Sequence, residues 1–359
     1  MHQVVLGLSV VFATLGSARA ASFKTYAIGN SLTMNATLNA MDDMAAQVGI
    51  SSLSSDHIYL GQSLNTIWTN PTHTDTPGSS PGVNSWPHSA GNFPTAFSPP
   101  ATAWNAIVME PFFSPLVGST GDSPRILDFM NYASGKTASH TPPGVNPVTN
   151  PGNPDNAMAQ YYIFARWSQD SSWAPPPNNP PLGSEGHHSG YHEAWIKSYV
   201  NGDGGNTTMT GDYFQKLLAS VRAAQPTDIK PIELIPVGNV FDAIDQRINA
   251  GGLAGLGGSI ANLYAPDSFG NLHLNTLGRF VATTTFYSTI FAKDPSGMVP
   301  PPADYPGLDP ATVSELESIV WNTVTTTPGT GVVPEPSTIT LLAFAPLLLF
   351  LCRRRSAGF

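Results

Sequence analysis

Cysteine is nearly missing from this chain: its 359 residues include one, Cys352, close to the end. A lone thiol closes no disulfide within the chain and builds no cysteine metal site. Stability must therefore come from core packing, which this length supplies in one large domain or in a domain with an elaborate insertion. Charge is scarce as well. Asp, Glu, Lys and Arg make up 11% of the chain, acidic residues outnumber basic ones 24 to 15, and the formal net charge is -9. A nucleic-acid-binding surface would be basic, so this composition argues against that class of partner. There is no internal repeat, and between the two ends the apolar runs are short.

Proline and glycine are abundant, 34 and 33 residues, but clustered. Residues 69–103, 134–157 and Trp173 to Gly190 read as turn-rich insertions, and long loops in a compact domain are commonly functional or disordered. Residues 325–336 read as a linker. The short apolar runs predict strands at Lys24–Ile28, His57–Leu60, Ala106–Met109, Gln160–Ala165 and Pro231–Val237. Helical patterns follow at Met34–Val48, Gly211–Ala224, Val240–Ala250 and Leu277–Phe291. Strands alternating with helices predict an α/β fold, a three-layer α/β/α arrangement on a mostly parallel sheet with long irregular loop insertions. In such sheets the active site lies at the carboxyl ends of the strands. Ser31, Gly61 and Glu110 each follow a predicted strand, so one cleft can collect all three.

Both ends carry address-like patterns. Met1 to Ala20 has an apolar stretch, Val4 to Leu15, and closes on Ala18-Arg19-Ala20, the A-x-A pattern of a signal peptide cleavage site. Near the other end, Val333-Pro334-Glu335-Pro336-Ser337 leads to an apolar stretch from Ile339 to Cys352 and then Arg353-Arg354-Arg355. That stretch is shorter than the ~20 residues of an ordinary spanning helix, and the arginines would stay on the cytoplasmic side. The tail (337–359) resembles the PEP-CTERM sorting signal of bacterial surface proteins. The resemblance implies export to the cell envelope or beyond, transient anchoring, and a membrane sorting protease as partner. A plain tail anchor is the alternative.

Chemistry concentrates at two distant places. In Tyr26-Ala27-Ile28-Gly29-Asn30-Ser31-Leu32-Thr33 an apolar strand delivers a serine onto a Gly-Asn turn ahead of a helix, one way to build a serine nucleophile. Far downstream, Asp267 precedes His273 in Asp267-Ser268-Phe269-Gly270-Asn271-Leu272-His273-Leu274-Asn275-Thr276-Leu277-Gly278. A histidine at a helix start with an aspartate shortly before it suits a serine hydrolase. The histidine takes the serine's proton, and the aspartate fixes its tautomer and stabilises the imidazolium.

These blocks resemble the SGNH (GDSL-like) hydrolase superfamily over most of residues 23–324, which implies a hydrolase domain at 21–324. Gly29-Asn30-Ser31-Leu32-Thr33 is similar to its first block, Tyr59-Leu60-Gly61-Gln62-Ser63-Leu64 to its second, and His273-Leu274-Asn275 with Gly278 to its last. The resemblance implies Ser31 as nucleophile, His273 as base and the backbone N–H groups of Ser31 and Gly61 as oxyanion donors. It requires no cofactor. Two departures stand out. The family's last block commonly reads Asp-x-x-His, but Gly270 occupies the aspartate's place; either Ser268–Gly270 loops out and Asp267 serves, or the site is a dyad. At the third block, where many members place an asparagine that donates to the oxyanion, this chain has Glu110. Losing one such donor lowers rate by about 10²–10³. A carboxylate there would add about 4 kcal/mol of repulsion at 4 Å and an effective dielectric of 20. Glu110 is therefore turned away, or neutral and standing in for a glutamine, or a sign that esterase chemistry is lost. Asn30 and Gln62 are the possible substitute donors.

Other readings compete at these residues. Ser31 can be an ordinary helix cap. His188 and His192, four apart beside Glu193, can share a helix face and hold a metal. Tyr191, Trp167, Trp173 and Trp195 border the third loop, where they either pack or stand exposed to stack on sugar rings. The expectation is an exported esterase or deacetylase acting on a small-molecule or polysaccharide ester, such as an acylated carbohydrate, through Ser31, His273 and Asp267. The alternative is a non-catalytic surface or matrix protein that keeps the fold.

Overall fold

A computed structural model describes residues 22–73, 75, 91–99, 101, 103–140, 142–144, 151–169, 190–201, 210–267 and 272–334. The predicted signal peptide and sorting segment, Trp173, His188 and the Ser268–Gly270 insertion lie outside these residues.

The elements in chain order are β1 (Phe23–Gly29), α1 (Ser31–Asn35), α2 (Leu38–Gln47), β2 (Ser52–Ile58), α3 (Leu64–Thr69), α4 (Phe93–Phe97), β3 (Ala106–Met109) and α5 (Asp122–Ala133). After these come β4 (Gln160–Phe164), α6 (Tyr191–Trp195), α7 (Gly211–Ala224), β5 (Glu233–Ile235), α8 (Val237–Asn249), α9 (Thr276–Phe291) and α10 (Pro310–Thr326). The five strands form one parallel sheet in the order β2-β1-β3-β4-β5. The central strands read as continuous apolar runs because both faces are covered: Tyr26, Ala27 and Ile28 of β1 and all of β3 are buried. Helices α2 and α9 pack on each other and on β2 and β5, with α8 and α10 against α9. Helices α3, α5 and α7 form a second packed series that reaches β1 through α3. This is the predicted three-layer α/β/α fold.

Strand order reverses at β1, which has β2 on one side and β3 on the other. Such a switch point opens a crevice at the carboxyl ends of the two diverging strands. Ser31 follows β1 there, and Glu110 follows β3, with the Glu110 N–H on Ile28 O at 2.9 Å.

Three segments depart from the sequence expectation. Strand β2 begins at Ser52, well before the predicted His57, because its polar residues find hydrogen-bond partners. Asp42 accepts from Ser54 N and from the Ser52 and Ser54 hydroxyls, and His57 Nε2 meets His73 O. The predicted helix Met34–Val48 is broken after Asn35, where Thr37 adopts a left-handed φ of 41°. Residues 325–334 are not a linker. Helix α10 runs to Thr326, Leu234 N of β5 donates to Gly329 O at 2.9 Å, Thr330 Oγ1 donates to Val324 O, and Val332 is buried. The segment therefore covers the exposed edge of β5, which would otherwise present unpaired backbone groups.

The aromatic side chains mostly serve this core. Trp167, Tyr191 and Trp195 are all buried, so none of them stands exposed to stack on a sugar. Among the described residues, no helix is long and apolar enough to cross a membrane.

The core also holds charge. Asp122, at the start of α5, is fully buried and accepts from the Tyr213 hydroxyl at 2.5 Å. Burial pushes its carboxyl up to about 7, against the opposing pull of Tyr213 and Arg166. The same group ionises near 4 in an unfolded chain. Stability associated with the neutral form is therefore complete below about pH 4, is lost as pH rises, and is gone above about pH 7. An amide in place of this carboxyl does not titrate. The unfolding temperature of Asp122→Asn relative to wild type should thus rise by about 3 °C or more between pH 5 and pH 8; a difference independent of pH would contradict this account.

Candidate active site

The turn after β1 is built by satisfying the free donors of α1. Asn30 is the N-cap, and its Oδ1 accepts from Leu32 N at 3.0 Å. Its carbonyl accepts from Met34 N. Thr33 N donates to Glu110 Oε2 at 2.9 Å, and so does Asn30 N at 3.0 Å. Ser31 N–H is the donor of this first turn left without a bond among the described residues. Ser31 itself is 7% exposed.

Ser31 Oγ lies 2.9 Å from His273 Nε2, although the two residues are 242 positions apart. On the other side of the ring, His273 Nδ1 lies 2.8 Å from Asp267 Oδ2. The same carboxylate oxygen accepts from the backbone N–H groups of Leu272 and His273 at 3.1 and 2.9 Å. Despite the wider spacing left by Gly270, the chain brings Asp267 onto the imidazole.

The histidine segment is held from several directions. Tyr264 and Leu274 form an antiparallel bridge, and Ala265 N donates to His273 O. Trp167 Nε1 donates to Leu272 O at 2.8 Å. Asn35 joins the two halves of the site, since its Nδ2 donates to Ser31 O at 2.8 Å and its Oδ1 accepts from Leu274 N at 2.6 Å. Sequence reasoning missed Asn35 and the site role of Trp167. A buried asparagine one turn after a nucleophile was the available signal, but its partner is far away in the chain.

The residues predicted around the oxyanion divide. Gly61 is exposed with φ +66°, a left-handed conformation suited to glycine, and its N–H makes no bond among the described residues. Tyr59 N donates to Gly29 O, so the second block is tied to the nucleophile turn. Gln62 is half-buried with its side-chain amide unengaged among the described residues. Asn30 is a correction: its Oδ1 caps α1 and its Nδ2 donates to Gln62 O at 3.2 Å, so both ends of the amide serve as scaffold. Of the readings left open for Glu110, its placement agrees with the one in which the side chain is turned away. Its side chain is fully buried, makes no hydrogen bond to Ser31, and turns its Oε2 to the backbone of the nucleophile turn. Burial pushes its carboxyl up, against hydrogen bonds from Thr33 and Asn30 and the charge of Arg166.

His192 does not join a metal cluster among the described residues. Its Nδ1 pairs with Asp242 at 2.7 Å on α8. Asp245, also on α8, is buried and accepts from His192 N. A cavity of about 410 Å³ between residues 297–310 and α10 is lined by none of the triad residues.

Removing the Asn35 side chain would strand Leu274 N–H in a buried place. Asn35→Ala is therefore expected to lower the unfolding free energy by about 1–3 kcal/mol, read as a lower urea midpoint at unchanged slope. An unchanged midpoint would show that Asn35 does not fasten the two halves together.

No protein-family model matches this chain, and neither does any curated protein. Among solved structures it is similar to a DUF4886 family protein from Bacteroides uniformis. That likeness has 15% sequence identity, covers 85% of this chain and 95% of the other, and has a TM-score of 0.45.

Proposed function

We propose that this chain is an exported serine ester hydrolase of SGNH type, acting on a small ester or an acylated carbohydrate. One observation carries the reading: the continuous hydrogen-bonded line from Ser31 Oγ through the His273 imidazole to Asp267 Oδ2. Three residue types in this order and at these distances do the work of nucleophilic acyl transfer.

In the proposed reaction, Ser31 Oγ attacks the ester carbonyl while its proton passes to His273 Nε2. Asp267 accepts the Nδ1–H bond, which holds the ring in the required tautomer and stabilises the imidazolium as it forms. The carbonyl oxygen becomes an oxyanion, and the N–H groups of Ser31 and Gly61, unengaged among the described residues, together with the Gln62 amide, are its proposed donors. His273 then returns its proton to the departing alcohol. Water attacks the acyl-enzyme with His273 as base, releasing the acid and restoring Ser31. No step calls for a metal or an organic cofactor. The carbohydrate part of the substrate class rests on the family resemblance and on the surface address expected from the chain ends, because a fold hosts many activities.

Hydrolysis of p-nitrophenyl acetate and acetylated xylan tests the proposal. Ser31→Ala and His273→Ala should each lose about 10³-fold or more, and Asp267→Asn about 10²–10⁴-fold. Chelator should leave the wild-type rate unchanged, whereas a metal enzyme built on His188 and His192 would lose activity. Equal rates for wild type and Ser31→Ala would remove the proposal.

A further inference from the structure

Glu110 is a fully buried carboxyl that the proposed reaction does not use. A single oxygen, Oε2, collects three donors: Asn30 N at 3.0 Å, Thr33 N at 2.9 Å and Thr33 Oγ1 at 2.5 Å. These donors flank Ser31 on both sides along the chain. The fit is close. A methyl group on Gly29 would stand 2.6 Å from Glu110 Oε2 and 2.0 Å from Thr33 Oγ1, so only glycine at that position admits the carboxyl.

The carboxyl is supported in turn. Arg166, also fully buried, donates to Pro111 O at 3.4 Å and to Trp167 O at 3.3 Å, and its guanidinium lies 4.9 Å from the ring centres of both Phe112 and Phe113. Its charge acts on Glu110 and offsets part of the burial penalty. The loop that follows Glu110 is strained, with Phe113 at φ +50°. Strain of this kind persists only where surrounding structure holds it, and here the buried guanidinium under both rings does so. A glutamate at the third block, costly at an oxyanion position, has a different use in this place.

We infer that Glu110 is the positioning residue for the nucleophile: by gripping Asn30 and Thr33 from beneath the turn, it sets the direction of Ser31 Oγ toward His273 and leaves Ser31 N–H free. The inference rests on the hydrolase reading for its catalytic consequence and on hydrogen bonding alone for its structural one. What the turn needs is an acceptor oxygen. Glu110→Gln supplies one in the same place, whereas Glu110→Met keeps the length and apolar stem but offers no acceptor. A displacement near 1 Å at a nucleophile is enough to lower rate about 10²-fold.

The test compares kcat and KM on p-nitrophenyl acetate with amide exchange in the peptide spanning residues 30–33. The inference predicts kcat for Glu110→Met at least about tenfold below that of Glu110→Gln, KM within about threefold of wild type, and faster exchange in that peptide. It is overturned if the two variants lie closer together, if the loss falls on KM, or if exchange is unchanged. Should Glu110→Met fail to fold, Thr33→Val removes one of the three donors while keeping the carboxyl. A fall in its kcat of about threefold or more at constant KM supports the inference, and a smaller effect overturns it. If wild type is no more active than Ser31→Ala, the hydrolase reading fails separately. Exchange then decides alone, with equal protection in wild type and Glu110→Met counting against the grip.

Discussion

Everything at the candidate site depends on how the backbone donors of a five-residue helix are satisfied. A short α1 buried at the end of a parallel sheet has N–H groups that no earlier turn of helix can accept, and leaving them unpaired costs about 1–3 kcal/mol each. Asn30 takes one and Glu110 takes those on either side of Ser31. The donor left over belongs to Ser31, the residue whose hydroxyl meets His273. A turn that pairs its other buried groups and spares this one has the electrostatics that acyl transfer requires, since a pre-oriented N–H is worth far more in a dry site than in water. The bonded oxygen of Glu110 faces the Asn30 and Thr33 N–H groups and the Thr33 hydroxyl.

The second requirement is that residues far apart in the chain meet within hydrogen-bonding distance. The fold achieves this by using side chains to fasten loops to loops. Asn35 spans from the nucleophile helix to Leu274, Trp167 reaches Leu272 from the end of β4, and Asp267 holds the backbone on which His273 sits. The Asn35 and Trp167 bonds are buried, so breaking either leaves an unpaired group as well as a loosened loop. Gly270 removes the usual aspartate, but Asp267 arrives at the same nitrogen, and Glu110 is withdrawn beneath the turn.

Much of this was legible in the sequence where local pattern and structure coincide. Strand β3 and helix α7 lie where apolar runs and period placed them, because burial on one or both faces dictates those residue types. Ser31, His273 and Asp267, singled out from two distant blocks, do meet through hydrogen bonds. The rest depended on partners that no local window contains. Strand β2 is polar, and Ser54 and His57 become strand residues only when Asp42 and His73 reach them. The break at Thr37 follows from the turn before it, not from propensity. Helices α5 and α10 were not anticipated, although Asp309 capping Thr312 and the buried series Val313, Leu316, Val320 and Val324 gave α10 a readable signature. For Glu110 several orientations stayed open, and Asn30, offered as a donor, is engaged within the turn, since spacing tells which loop a residue occupies and not which way its side chain turns.

The central claim is that the imidazole of His273 makes Ser31 a nucleophile. Reaction with a fluorophosphonate, followed by peptide mass spectrometry, measures this most directly. The account predicts one phosphonyl group per chain, located on Ser31, formed far more slowly in His273→Ala. A modified residue elsewhere, no adduct at all, or an undiminished rate without the histidine would contradict it.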